Sequence, residues 1–259
     1  MKQGLAWGFV SGALLAIGIG VLPILAQSAR YQLSGTRVFL SPRQQSATIT
    51  ITNTGDVPVD FEVSLQQWRQ MADGRDELTP APPNSPELVV FPLILKIPPR
   101  EARNIRLSRR VPPTATEVSY RLFIAELPPP NVQQTEQLQI RFVTQHSLPV
   151  FIEPATVQRR GEFVEPRVQQ GQLAFGLRNT GNVHLQTLGI RVVGVNSEGR
   201  SIFEKKLDSV YILPGVTRSF TAVALPQDNC GAVQRLDIRL ENSAIPLSTS
   251  VPTPGGVCR

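Results

Sequence analysis

The amino-acid sequence predicts an all-β protein of two tandem immunoglobulin-like β-sandwich domains, set at an angle and preceded by a signal peptide. Three observations support this fold class. Short alternating runs of apolar and polar residues recur between turn signals and the 23 prolines of the 259-residue chain, which favours strands over long helices. Apolar residues make up 41 % of the chain and charged residues 18 %, as in globular proteins. A strand-and-turn pattern also occurs twice, about one sandwich domain apart.

The repeated pattern is Asn-Thr-Gly after an alternating apolar run. Residues 49–59 read ITITNTGDVPV, and residues 174–185 read AFGLRNTGNVHL. Asparagine and glycine tolerate a left-handed backbone, and asparagine can bond its own main chain, so each copy predicts a strand that ends in a turn. The two copies favour one domain at residues 30–149 and a second at residues 150–259.

The start of the chain differs in kind from the rest. Lys2 precedes an apolar stretch without charge at residues 5–25, which is followed by Ala26 and Ala29. A basic start, an apolar middle and small residues at the end are typical of a secretory signal. We therefore expect residues 1–26 to be a signal peptide, with cleavage after Ala26 or, as a second choice, after Ala29. The alternative is an uncleaved membrane anchor, because the stretch is long enough to span a bilayer.

The first domain contains short runs with the alternation of half-buried strands. The predicted strands are residues 37–40, 48–53, 59–68, 88–97, 103–108, 119–127 and 137–148. Turn and proline signals separate them, and this spacing is typical of an immunoglobulin-like sandwich.

The second domain repeats the scheme less clearly. Its predicted strands are residues 164–169, 172–178, 185–196, 201–207, 210–213, 217–224 and 233–241. Between the domains, Pro149 and Pro154 bracket a short connection. Two prolines so close together predict a stiff hinge.

Cys230 and Cys258 are the two cysteines of the chain. In an exported protein this even count predicts one structural disulfide, and two unpaired thiols are the alternative. The bond would close a loop of 28 residue steps (258 − 230). Chain entropy gives such a loop at most about 3.6 kcal/mol of stability.

The formal net charge of +6 is spread along the chain and forms no stripe interleaved with aromatic residues. This distribution, together with export, argues against a nucleic-acid partner. A basic surface that faces acidic or polar partners, or anionic lipid headgroups, accounts for it.

No catalytic, cofactor or metal motif stands out. His146 and His184 are far apart in sequence and belong to no metal-binding pattern, so each is interpreted as a strand-surface histidine. The chain also lacks a P-loop, a dinucleotide-binding glycine turn and a nucleophile elbow. We therefore expect a non-enzyme without cofactor or metal. An enzyme of unrecognised class, revealed by a polar pocket with perturbed ionisable groups, is the alternative.

The most informative segment surrounds three consecutive prolines at residues 128–130. Prolines cannot donate to a strand ladder, so they predict an exposed connection. Beyond them Leu138, Ile140 and Phe142 alternate with polar residues. Such alternation most often marks side chains that face their own core. The alternative is an exposed edge strand, on which a partner that lacks a strand would gain roughly 1.5–3 kcal/mol for each side chain it buries.

Arg37 lies at the start of the first predicted strand. An arginine near a strand end is usually a solvated charge at the rim. In a cleft between domains, however, its guanidinium could hold a C-terminal carboxylate with two parallel hydrogen bonds.

Several short motifs, taken in order, resemble the periplasmic pilus-assembly chaperones of the chaperone–usher pathway. They are TRVF at 36–39, ITNTG at 51–55, FP at 91–92, IRL at 105–107, SYRLF at 119–123 and ELPP at 126–129. Each motif is weak alone, and the ordered set is specific. The resemblance covers nearly the whole chain after the signal and is best in the first domain.

The resemblance implies a periplasmic chaperone that works without ATP. Such a protein binds exported pilus subunits that lack their last strand, lends them part of its own last strand, and delivers them to an outer-membrane usher. The lent residues would be Leu138, Ile140 and Phe142, with Thr144 continuing the row. Arg37 would hold the C-terminus of the subunit.

One departure from the family concerns the residue before the linker. Many members carry a lysine there as the partner of the anchoring arginine, whereas this chain has Pro149 in LPVFIEP. Proline carries no charge, so an anchor of two cations is not available at this position. The linker resembles the non-classical branch that serves spore-coat-U-like fimbriae.

Two further expectations concern partners. A secreted immunoglobulin-like structural or adhesive protein, such as a pilin-like subunit, is the main alternative to a chaperone. The chain leaves little room between Ala29 and the first strand for the donor extension that a subunit carries. A dimer in which two copies cover each other's edge strands is a further expectation.

Overall fold

A computed structural model describes residues 30–71, 73–85, 87–128, 142–241 and 244–258. Over these residues the chain forms two β-sandwiches in tandem, which confirms the predicted fold class. One turn of 3₁₀ helix at Cys230–Ala232 is the only helical element in this part of the chain. None of the described helical structure is long and apolar enough to cross a membrane. The predicted signal peptide at residues 1–26 lies outside the described residues.

The first sandwich consists of two sheets. Its strands are β1 (Tyr31–Leu33), β2 (Val38–Leu40), β3 (Ser46–Asn53), β4 (Val59–Gln70), β5 (Asp76–Ala81), β6 (Leu88–Phe91), β7 (Ile94–Ile97), β8 (Ala102–Arg109), β9 (Val118–Leu127) and β10 (Gln145–Ile152). One sheet has the order β1-β3-β8-β6. The other has the order β2-β10-β9-β4-β5, with β7 also paired to β4.

The core of this sandwich follows the predicted alternation. Ile49 pairs with Ile105 across β3 and β8, and both point inwards, while the threonines that alternate with the β3 isoleucines face outwards. The Phe61 ring from β4 is fully buried at the centre. Branched side chains suit this pleated surface, and their burial is what drives the two sheets together.

Prolines lie at two places where the observed strands differ from the predicted ones. The single strand predicted at residues 88–97 is divided into β6 and β7, which lie in different sheets on either side of Pro92. Strand β5, which was not predicted, contains Pro80. Because β5 lies at the edge of its sheet, a residue without an N–H is tolerated there.

The chain crosses from one sheet to the other at the start of the first sandwich. Strand β1 pairs antiparallel with β3, whereas β2, after a few residues, pairs parallel with β10 in the opposite sheet. Val38 lies beside Val150, and Leu40 lies beside Ile152. The chain therefore closes one side of β10, but only at its C-terminal end.

The second sandwich is built from shorter, more irregular strands. They are β11 (Gly161–Gln169), β12 (Gln172–Asn179), β13 (Leu185–Gln186), β14 (Ile190–Val195), β15 (Ser201–Leu207), β16 (Tyr211–Ile212), β17 (Thr217–Ala224), β18 (Arg235–Leu240) and β19 (Ser248–Pro252). The sheets have the orders β11-β12-β17, β13-β16 and β15-β14-β18-β19. The disulfide between Cys230 and Cys258 is present, as predicted, and holds the chain end where Val257 is buried.

The repeated Asn-Thr-Gly segments form the same buried turn in both sandwiches. The Asn53 Nδ2 donates to the carbonyls of Val57, Ile97 and Pro98 over 2.7, 3.1 and 3.1 Å, and its Oδ1 accepts from the Gly55 N–H over 2.9 Å. Each asparagine is fully buried. The side chain therefore ties its own turn to a second loop.

In the second sandwich, Asn179 repeats this arrangement. Its Nδ2 donates to the carbonyls of Val183 and Ile212, both over 2.8 Å, and its Oδ1 accepts from the Gly181 N–H over 2.9 Å. The sequence repeat is thus a repeat of one structural device.

Replacing Asn53 by alanine is expected to lower the free energy of unfolding by about 2–3 kcal/mol, because buried carbonyls and one N–H lose their partner. Urea unfolding of the variant measures this loss. Asn104→Ala is the matched control, since Asn104 is exposed and accepts one bond from the Thr50 hydroxyl. Equal effects of the two substitutions would contradict the assignment.

Candidate functional site: an open strand edge beside the domain interface

Strand β10 has an open edge over half of its length. On one side it pairs with β9 along its whole length, from Gln145 to Ile152. On the other side it pairs with β2 only at residues 150–152. Among the described residues, no strand lies beside the outer edge of residues 145–149. An unpaired edge presents N–H and C=O groups on which a strand of another chain can form.

Hydrogen bonds at its two ends show which backbone groups of β10 point outwards. The Glu126 N–H donates to the Thr144 carbonyl over 2.9 Å, and the Glu153 N–H donates to the Leu40 carbonyl over 2.8 Å. Bonded residues alternate along an antiparallel ladder. Even-numbered residues of β10 therefore bond to β9, and the odd-numbered residues within 145–149 point their backbone groups outwards.

Pro149 ends this open edge. Its backbone points away from β9, where it lies opposite Arg121, and the residue is buried. Because Pro149 has no N–H, it fits a position where β9 requires no bond, and it offers an incoming strand no donor. The last outward N–H of the open edge is therefore that of Ser147.

The even-numbered side chains of β10 form a row that passes from the core to the surface. Val150 is fully buried and Leu148 is 3 % exposed, so both belong to the core of the first sandwich. His146 is half-buried, Thr144 is exposed, and Phe142 is 63 % exposed. A phenylalanine with this exposure, next to an open strand edge, is a candidate contact for another protein.

The structure describes only part of the predicted lent segment. Leu138 and Ile140 lie outside the described residues. The strand predicted at residues 137–148 is described from Gln145 and continues to Ile152, across the predicted domain boundary. Phe142 and Thr144 precede the strand as irregular backbone. The role of these residues stays a prediction.

Arg37 lies where the two sandwiches meet. Its Nη1 donates to the Gln186 Oε1 of the second sandwich over 2.8 Å. Arg37 precedes Val38, the partner of Val150 in the parallel pair, so it is level with Pro149 at the end of the open edge. The guanidinium is exposed, and water therefore weakens any ion pair that it forms with a partner.

An aromatic cluster joins the sandwiches behind the open edge. Phe151 of β10 is fully buried, and its ring stacks on His184 of the second sandwich with 3.7 Å between the ring centroids. The rings of Trp68 and Tyr211 lie 6.0 and 5.7 Å from that of Phe151. Side chains that point away from the core of the first sandwich are thus buried in the interface between the two sandwiches.

Buried polar groups complete this interface. The His184 Nδ1 lies 2.8 Å from a carboxylate oxygen of Glu117, whose side chain is fully buried. The Gln70 side chain donates to the Tyr211 carbonyl over 3.1 Å and accepts from the Leu213 N–H over 2.8 Å. These bonds fix how the second sandwich is placed relative to β10 and its open edge.

The interpretation of His184 as a strand-surface residue is wrong, and that of His146 holds in part, since His146 lies on β10 but is half-buried. The His184 side chain is 9 % exposed between Phe151 and Glu117, and His146 bonds to Tyr31 of the opposite sheet. Neither pairing has a local signal, because the partners are distant in sequence. Within the described part of the chain, no group of three or more histidine, cysteine, aspartate or glutamate side chains could hold a metal ion.

Burial shifts the ionisation of two groups near the site. The Arg121 guanidinium lies 3.8 Å over the Trp68 ring, and burial lowers its pKa, although an arginine remains charged at neutral pH. Burial also raises the pKa of Tyr31, so its hydroxyl keeps its proton.

Comparison with known proteins gives the family of the chain. Residues 30–158 match the model of the family described as pili and flagellar-assembly chaperone, PapD N-terminal domain. No curated protein matches the chain by sequence. The family has an assembly role, which confirms the prediction of a non-enzyme.

Solved structures share the two-domain fold. The chaperone CsuC–adhesion subunit CsuE pre-assembly complex from archaic chaperone–usher Csu pili of Acinetobacter baumannii matches with a TM-score of 0.58 and 17 % identity, over 86 % of this chain and 98 % of that one. The class 5 fimbriae chaperone CfaA matches with a TM-score of 0.59 and 15 % identity, over 86 % and 100 % of the chains.

A third match is the Salmonella enterica SafA pilin in complex with the SafB chaperone, with a TM-score of 0.53 and 17 % identity, over 86 % and 99 % of the chains. At these identities the likeness shows the fold. The likeness in fold extends over both sandwiches. The match of residues 30–158 shows that the chain belongs to the pilus-assembly chaperone family.

Proposed function

We propose that this protein is a periplasmic chaperone that captures exported pilus subunits by lending them a strand. The observation that carries the proposal is the open outer edge of residues 145–149, next to the exposed Phe142. A subunit that lacks one strand has unpaired edges of its own and an apolar groove. Strand addition satisfies both needs at once, because backbone bonds give affinity and alternate side chains fill the groove.

In this mechanism the row of Leu138, Ile140, Phe142 and Thr144 enters the groove of the subunit. Each large apolar side chain that is fully buried contributes roughly 1.5–3 kcal/mol. Burial of apolar area supplies the free energy, so the step requires no ATP or other cofactor. The aromatic cluster around Phe151 keeps the edge in a fixed place beside the second sandwich.

Delivery of the subunit to an outer-membrane usher completes the proposed role. Pro149 in the position of the lysine supports a place in the non-classical branch, which serves spore-coat-U-like fimbriae. Without a subunit, a second copy of the chain could cover the same edge, and the resulting dimer would be visible by light scattering.

Co-purification from a periplasmic extract tests the proposed function. The tagged protein is expected to carry a small secreted β-rich protein, and fractionation is expected to place it in the soluble periplasm. Incorporation of the chain into a surface fibre would instead identify it as a pilin-like subunit, and the proposal would be wrong.

The anchoring role of Arg37 is expected to be modest. Replacement by alanine should weaken subunit binding by at most about 1–2 kcal/mol, because the guanidinium is exposed and Pro149 supplies no second cation. Isothermal titration with the co-purified subunit measures the loss. Gln186→Ala is the control, since it removes the observed partner of Arg37 and keeps the charge. A loss above about 5 kcal/mol for Arg37→Ala would show a fully buried anchor instead.

A further inference from the structure

We infer that the pair Tyr31 and His146 marks the limit between the side chains of β10 that the protein keeps for its own core and those that it lends, and thereby limits how far the guest strand reaches along β10. This inference rests on the proposed function, since it names the residues that position the lent segment. It concerns residues in which the sequence alone shows no role.

The pair joins the two sheets of the first sandwich. The Tyr31 hydroxyl oxygen lies 2.9 Å from the His146 Nε2, within hydrogen-bond distance. Tyr31 belongs to β1 in one sheet, and His146 belongs to β10 in the other. The Tyr31 ring also meets the buried Phe61 ring edge-on, with 4.8 Å between centroids. Tyr31 is therefore held by its own sheet and by the core beneath it.

The pair lies at the point where the row on β10 changes character. On its C-terminal side, Leu148 and Val150 are core residues. On its N-terminal side, Thr144 and Phe142 are exposed. His146 is half-buried between them and is the one polar ring in the described part of this row. The contact between Tyr31 and His146 thus lies where the core of the first sandwich ends along β10.

The free-energy cost of lending His146 explains why the lent row stops before it. To lend the His146 side chain, the protein would have to break the bond to Tyr31 and place an imidazole in the apolar groove of the guest. A buried polar group that loses its partner is unfavourable, and the cost falls on both rings. The Thr144 side chain also interacts with the Tyr31 hydroxyl, but Thr144 is exposed in the free protein, so lending it leaves no buried polar group without a partner. The row that is available to a guest therefore ends at Thr144.

Backbone geometry sets a second limit, three residues further along β10. The outward N–H groups of the open edge end at Ser147, because Pro149 has none. A guest strand can therefore bond beside His146 but can gain neither its side chain nor a donor beyond Ser147. The two limits together bound how far along β10 the guest strand can extend.

Residue-resolved hydrogen exchange on the free protein tests the limit without any partner. Tyr31→Phe removes only the hydroxyl, and we expect it to raise the exchange of the His146 and Leu148 amides about fivefold, because one net hydrogen bond is lost at the strand start. The amides of Val150 and Ile152 should be unchanged. Ser34→Ala is the matched control, since it removes a bond of 2.9 Å from the Thr50 N–H on the same side of the sandwich.

An unchanged exchange rate of the His146 amide in Tyr31→Phe, or an equal rise in exchange along all of β10, would overturn the inference.

A second experiment uses the co-purified subunit as the probe. Tyr31→Phe and His146→Leu should each weaken its binding about fivefold or more at unchanged melting temperature, and the double variant should be no worse than the weaker-binding single one. Undiminished binding by both variants also overturns the inference. Failure of the wild-type protein to bind any subunit contradicts the proposed function, and the exchange arm then decides the limit alone.

Discussion

Replacing Ile140 and Phe142 together by serine is expected to abolish capture of a pilus subunit and to leave the protein folded. Two large apolar side chains at roughly 1.5–3 kcal/mol each correspond to affinity weakened by about 10²- to 10⁴-fold. Phe142 is 63 % exposed in the free protein, so its loss removes little from the host core. The free energy of unfolding should change by no more than about 0.5 kcal/mol for the Phe142 substitution.

Co-purification from a periplasmic extract and urea unfolding measure the two halves of this expectation. Val143→Ser is the matched control, because Val143 is 56 % exposed but belongs to the odd-numbered residues outside the lent row. It should retain capture within a few-fold. Undiminished capture of the subunit by the double serine variant would contradict strand lending, regardless of the result for Val143→Ser.

Phe151→Ala is expected to lower the free energy of unfolding by about 3–5 kcal/mol and to loosen the two sandwiches from each other. The ring is fully buried and contacts side chains from both sides of the interface, notably His184 at 3.7 Å and Trp68 at 6.0 Å between ring centroids. The cavity left by alanine would therefore lie between the sandwiches. It would also leave the buried pair of His184 and Glu117 without the ring that covers it.

Urea unfolding followed by two probes distinguishes these effects. Coincident transitions in the wild type should become separate transitions in Phe151→Ala, since each sandwich would then unfold by itself. Phe39→Ala is the control, because Phe39 lies 5.5 Å from Phe151 between centroids but is 37 % exposed. It should cost about 1 kcal/mol or less and keep the transitions together. An unchanged midpoint in Phe151→Ala would show that the cluster does not join the sandwiches.

Local pattern was sufficient for most of the fold. Alternation in β3, β4 and β9 predicts which side chains lie in the core, since period-2 patterning and burial on one face are the same physical fact. The Asn-Thr-Gly repeat correctly predicts two sandwiches. It does not predict that Asn53 and Asn179 are buried, because their carbonyl partners include residues of distant strands, in β7 and β16 respectively.

Edges and sheet changes were harder to predict. Strand β5 contains Pro80, and the sequence signal for a turn outweighed the possibility of an edge strand. Strand β19 near the C-terminus was missed because its STSVP segment has little apolar pattern. The division of the predicted strand at residues 88–97 depends on where the sheets lie, which a one-dimensional pattern does not contain.

The sequence also predicted some residues of the candidate site and missed others. Exposure of Phe142 and the place of Arg37 at the domain boundary agree with what the resemblance implies for these residues, and their roles remain predictions. The pairs of His184 with Glu117 and of His146 with Tyr31 had no signal in the sequence. Their partners are brought together by the tertiary fold, and each histidine alone looks like any residue of a strand surface.

Hydrogen exchange of the backbone amides of Gln145 and Ser147, with and without the bound subunit, tests the central claim most directly. Both amides point away from β9 and lie on the open edge in the free protein. If the protein lends its edge to the subunit, their exchange should slow by at least about 10²-fold in the complex, because each forms a new strand bond. Fast exchange of both amides in a stable complex, with protection confined to other surfaces, would contradict strand lending.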